Sequence, residues 1–136
     1  MMNKIIIWLL RISPLPAAFI NDEVFDQGLD YADTNGTRVD ICSQEPTTYT
    51  EATSTYTLGN NAVNTGATEA GATDGRRVIV PAISAGSVTG SGTASHWALT
   101  DGATLLIATG ALSSPQAVTS GNTFSLDAIS ITKRDP

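Results

Sequence analysis

At 136 residues the chain has room for one domain with a modest apolar core. Only 15% of its residues are charged and 6% aromatic, with Thr, Ser, Ala and Gly in their place; this disfavours helices with a charged wet face and suits short strands and turns. The net charge of −6, with no basic stripe, excludes a phosphate-neutralising surface for nucleic acid.

The first segment, MMNKIIIWLLRISPLPAAF, starts basic, runs apolar from Ile5 to Leu10 and ends in small residues, the outline of a secretory signal. Arg11 interrupts the apolar run after six residues, short for a signal and far below a membrane span. Residues 1–17 are therefore expected to be a leader or an over-long start outside the fold, and residues 18–136 a single β domain. NDEVFDQGLDYADTNG predicts a short helix: Asn21 can cap it, Asp22 and Glu23 suit its first turn, and Phe25 and Leu29 share one edge. Asn35-Gly36 closes it in a turn.

Beyond Gly36 the apolar period falls to two. In RVDICS, Val39 and Ile41 take one face, Asp40 and Cys42 the other. The lone Cys42 excludes an internal disulfide and reads as packing within this strand. QEPTTYTEATSTYTLGN is polar, with Tyr49 and Tyr56 as anchors and room for a helical turn; residues 61–75 are a long loop or a loose edge. RRVIVPAI is a strand that Pro81 ends or confines to an edge, and Ser84 to Gly86 is expected to turn the chain. SVTGSGTASHWAL, TLLIATGAL and NTFSLDAISIT complete a meander. In the last of these the apolar parity switches between Leu126 and Ile129, which predicts a β-bulge near Ala128. The fold class is mainly β, an antiparallel sandwich or barrel with one short N-terminal helix.

The stretch TASHWALTDGATLLIATGAL holds the chain's only histidine. Thr100-Asp101-Gly102 predicts a three-residue hairpin loop with Gly102 left-handed. Leu99 then faces Ala103, Trp97 faces Leu105 and Ser95 faces Ile107, so Trp97, Leu99, Leu105 and Ile107 gather on the core face. His96 falls on the second face, beside Ala98 and Leu106, with no local Asp, Cys or second His to make a triad or a metal site. It reads as a structural or interface residue.

No catalytic, cofactor-binding or metal-ligating set emerges, and an enzyme is the least expected class. Asp33 to Gly36 (DTNG) resembles the start of a calcium loop but lacks its spacing and terminal Glu. Asn35-Gly36-Thr37 is a glycosylation sequon only in a eukaryotic secretory path. Arg76-Arg77 beside Asp74 reads as a solvated charge pair, and GSVTGSG lacks the Lys and the following helix of a phosphate loop. The surplus apolar groups on the second face and beyond the parity switch suggest a contact surface at His96, Leu106 and Ile131. It would join copies of the chain or join it to other proteins.

From Phe19 onward the chain resembles a group of small, uncharacterised structural proteins of tailed phages and prophages of proteobacteria. The most specific pieces are ICSQEPTTYTEATSTYTLG, SHWALTDG and ATGALSSPQAVTSGNTF. Members of that group begin near AFINDEVFDQGL, so the first 17 or so residues depart from the pattern. The resemblance implies a virion protein made in the bacterial cytoplasm, with a non-enzymatic structural role as a capsid decoration or a tail or fibre component. It carries over no catalytic residue and no cofactor, and the expected partners are the chain itself and other virion proteins, with neither nucleic acid nor membrane. Two other readings compete. One is a carbohydrate or receptor-binding module, which needs exposed aromatics where only Tyr49, Tyr56 and Trp97 are on offer and Trp97 is expected in the core. The other is a secreted bacterial β protein.

Overall fold

The structure, a computed structural model, describes residues 21–134; the expected leader at residues 1–17 lies outside the described residues. Helix α1 spans Asp22–Asn35, where the sequence predicts it. It buries Phe25, Leu29 and Ala32, the i, i+4, i+7 stripe of an amphipathic helix. Its last turn closes where the Gly36 N–H donates to the carbonyl of Ala32 at 2.8 Å.

The remainder is mainly β, in two antiparallel sheets. The larger runs β7-β6-β1-β2-β5-β8, with β1 Arg38–Cys42, β2 Thr57–Ala62, β5 Ile83–Val88, β6 Gly92–Thr100, β7 Leu106–Val118 and β8 Thr123–Leu126. The smaller runs β3-β4-β9, with β3 Glu69–Ala70, β4 Arg76–Val80 and β9 Ile129–Lys133. The loose edge expected within residues 61–75 is β3. Strand β1 is central and covered on both faces. Val39 and Ile41 enter the main core with Leu58, Val80, Ile83, Val88, Leu99 and Phe124. Cys42 lies under a π-helical turn at Glu51–Thr55, where it meets Ala52, Ala98, Tyr56 and Leu106. The helical turn expected in the polar QEPTTYTEATSTY stretch is thus the lid of the second face.

Two sequence expectations fail at one corner. Ser84 to Gly86 is not a turn but the interior of β5, and the small residues leave room for the ring of Phe124, which lies against Gly86. The parity switch after Leu126 is not a bulge near Ala128 but a change of sheet. Val80 pairs with Ile129 in the small sheet, and three residues further along each strand Ile83 pairs with Leu126 in the large one. One antiparallel ribbon therefore bends across both sheets at Pro81-Ala82 and Asp127-Ala128. Pro81 ends β4 because it has no N–H to donate to a ladder.

The hairpin register also differs from the expected one. The loop is Asp101 to Leu105, not three residues, and Thr100 pairs with Leu106, Leu99 with Ala108, Trp97 with Gly110 and His96 with Ala111. One carboxylate explains the longer loop. Asp101 Oδ1 accepts from the N–H groups of Ala103, Thr104 and Leu105 at 2.8–2.9 Å. Gly102 is left-handed as expected, φ 73°. Leu105 is consequently 43% exposed and leaves the core face, while an irregularity at Ile107 returns that side chain to the interior.

The core has two unlike ends. At one, Leu29 and Ala32 of α1 pack on Val78, Ile107 and Ile131 and plug the space between the sheets. At the other, residues of both outer strands of the large sheet, β7 and β8, line one open groove with Ile129. The large sheet is therefore curled, with both its outer strands on one groove and α1 packed on β4 of the small sheet.

Candidate functional site: the open groove

The groove encloses about 550 Å³, within the size range of small-ligand sites at barrel mouths. Its wall on the β7 side is made by an irregularity. Ala94 pairs with Gln116 and His96 with Ala111, so Leu112 to Pro115 bow out opposite Ser95. Bulges re-aim side chains, and Pro115 removes a ladder N–H at the same place. The opposite wall is β8 and the corner after it, with Thr123, Ser125 and Asp127. Ile41, Ala94, Trp97, Phe124 and Ile129 supply apolar lining.

Trp97 is only half-buried. It packs against the main core on one side and lines the groove on the other, so the expectation that it is wholly committed to the core is corrected. Gly110 lies against its indole, where a Cβ would come within 2.8–2.9 Å of Cζ2, Cε2 and Nε1. Among the described residues no Lys, Arg or His lines the groove, and Asp127 is the one ionisable group that does.

The expected interface residues do not form one surface. His96 and Leu106 share the second face, but Leu106 is half-buried against Cys42, Ala52 and Ala98 within its own chain. Ile131 is half-buried between the main core and α1, in a different part of the molecule. His96 Nδ1 lies 2.8 Å from Ser95 Oγ, and that hydroxyl donates to the carbonyl of Ser43 at 2.9 Å. The Ser95 hydroxyl thereby ties β6 to the chain just after β1.

The buried ionic groups are likewise turned inward. Asp40, fully buried, accepts from Arg38 Nε and Nη2 at 2.7 and 2.8 Å and from Thr57 Oγ1 at 2.7 Å. Its hydrogen bond holds the Arg38 guanidinium protonated even more firmly than usual. Burial, with Asp40 nearby, pushes the Cys42 thiol up to about 12. That makes it inert packing rather than a nucleophile. Arg76 is not paired with Asp74, as read from the sequence; it clamps α1 through Asp26 at 2.7 Å. Arg77 takes Glu69 at 2.8 Å, and Asp74 takes Arg134 at 3.3 Å. Among the described residues no group of three or more His, Cys, Asp or Glu is placed to hold a metal ion, and no helix is long and apolar enough to cross a membrane.

Comparison of the chain with protein-family models, with curated proteins and with solved structures finds no match.

Proposed function

We propose that this chain is a non-enzymatic structural protein of a tailed-phage virion, a capsid decoration or a tail or fibre component. It works as a homo-oligomer, with three-fold closure, or bound to other virion proteins. The observation that carries this reading is β7. Over 13 residues, from Leu106 to Val118, it is an outer strand with no charged side chain and no fully buried residue. Water-facing edges are normally guarded by charge, Pro or bulges. Here the Leu112 to Pro115 bulge and its Pro guard one half, and the Ala108 to Ala111 stretch between the two irregularities is left neutral and regular. Such a surface suits burial against another protein, because it presents no charge to desolvate.

His96, opposite Ala111, and Leu106, at the start of the strand, border the proposed contact. Ile131 stands apart from it. The test is light scattering on the pure protein beside Ala111→Arg, an exposed position whose change leaves the core intact. Wild type is expected to run as an oligomer, and the variant to dissociate with its circular dichroism unchanged. A wild-type chain that stays monomeric at high concentration and binds no virion component overturns the proposal.

A further inference from the structure

We infer that the groove between β7 and β8 is a binding site for a neutral saccharide. Shape, charge and lining each narrow the occupant. A strand added to the groove half of the β7 edge is disfavoured, because the Leu112 to Pro115 bulge breaks the ladder and Pro115 offers no N–H. The occupant is therefore a compact molecule lying in the groove rather than an extended peptide zipped along its wall. Anionic ligands are disfavoured in turn. Among the described residues the lining holds no cation and one carboxylate, Asp127, so a phosphate or carboxylate would meet like charge with no described group to balance it. An acyl chain is disfavoured by the polar rim of Ser113, Ser114, Gln116 and Ser125. The Gln116 amide donates to the Ser114 hydroxyl at 3.0 Å and the Ser125 hydroxyl to the Ser84 carbonyl at 3.3 Å, and a purely apolar guest would strip water from the donor and acceptor sites these bonds leave over.

What remains is a ligand with an apolar face and a neutral hydroxylated edge. A pyranose ring has both. Its C–H face matches the half-buried indole of Trp97. Its hydroxyls are matched by the Ser hydroxyls, the Gln116 amide and the Asp127 carboxylate, which can accept two hydroxyl protons. The bulge gives this arrangement a structural cause, since it swings Ser113 to the groove. Every residue the inference uses belongs to one chain.

The experiment is NMR titration of the full-length protein carrying Trp8→Phe, so that Trp97 is the sole indole. The probes are methyl pyranosides of glucose, galactose, mannose and N-acetylglucosamine and their neutral trisaccharides, with sialyllactose and 1-octanol as the anionic and apolar controls. At least one neutral saccharide is expected to shift the Trp97 indole N–H and the Gln116 and Asp127 amides saturably. Gln116→Ala and Asp127→Ala, both at exposed positions, are each expected to weaken that binding about five-fold, the effect of losing one hydrogen bond. Three results overturn the inference: no neutral saccharide shifts these signals, the shifts survive both substitutions at full affinity, or 1-octanol alone binds.

Discussion

Replacing Asp40 by Ala tests whether the middle of the large sheet is held by one buried carboxylate. Asp40 is 0% exposed on the central strand, and its side chain takes three short hydrogen bonds, two from Arg38 and one from Thr57. Removing one partner of a buried pair costs about 3–5 kcal/mol when the other charge is stranded. Here the stranded partner is not fully enclosed, for the Arg38 side chain is 30% exposed and can turn toward water. That discounts the loss to about 3 kcal/mol, which for a domain of this size lowers the melting temperature by roughly 10 °C. Asp40→Asn is expected to fall between wild type and Ala. Its amide keeps one acceptor but sets an NH2 against an arginine donor. Thermal and urea unfolding of Asp40→Ala, Arg38→Met and the double variant closes a mutant cycle, with an expected coupling of about 1–3 kcal/mol. An Asp40→Ala variant within about 0.5 kcal/mol of wild type, the ordinary scatter of surface changes, or a cycle with no coupling, refutes the reasoning.

Gly110→Ala puts a methyl within 2.8 Å of the Trp97 ring, so the indole is expected to move toward the groove, with red-shifted emission and a loss of about 1–3 kcal/mol; unchanged emission contradicts the packing described. The Asp101 carboxyl is held below its ordinary 3.8 by the N–H groups of Leu105, Ala103 and Thr104 and the Thr104 hydroxyl. A depressed acid stabilises the fold above its unfolded value and loses that contribution as pH falls through its folded one. The amides of Ala103 to Leu105 are accordingly expected to shift and exchange faster together, with a midpoint below 3.8, and Asp101→Asn abolishes the transition. A midpoint at the ordinary value would refute the cap. Cys42, raised to about 12 and buried, is expected to resist a thiol reagent at about pH 8 until denaturant is added; rapid labelling of the native protein contradicts its placement.

The elements whose signals are local were legible in the sequence. The α1 stripe of Phe25 and Leu29, the alternation of Val39 and Ile41, and the Pro81 stop each rest on a few neighbouring residues, and each appears where it was read. The errors occur where a distant contact decides. Ser84 to Gly86 has turn composition, yet its smallness serves the Phe124 ring, some forty residues away. The parity switch at Ala128 is plain in the sequence but ambiguous, because a strand that bends within a sheet and one that passes to a second sheet have the same sequence pattern. Apolar matching alone favours the shorter hairpin loop; the Asp101 side chain, which satisfies three loop amides, makes the longer loop the better one.

The groove was the least legible feature. Its lining comes from β1, β6, β7, β8 and β9, and only the curl of the large sheet brings them together. One local signal did exist. Ser113-Ser114-Pro115 inside an otherwise continuous strand is the composition of a bulge, and bulges gather next to sites. Burial on both faces of β1 was also readable in principle, since RVDIC carries Cys42 on the face opposite Val39 and Ile41. The polar stretch that covers that face gave no sign of doing so.

The central claim is that this chain is built into a virion. Its most direct test is quantitative mass spectrometry of phage particles purified on a density gradient from a bacterial culture that expresses the chain from its native locus. The account predicts the chain in the particles at a fixed copy number per particle, retained through high-salt washes and labelled at one recurring position by a specific antibody. Robust expression of the chain in the infected cell together with its absence from the washed particles would contradict it.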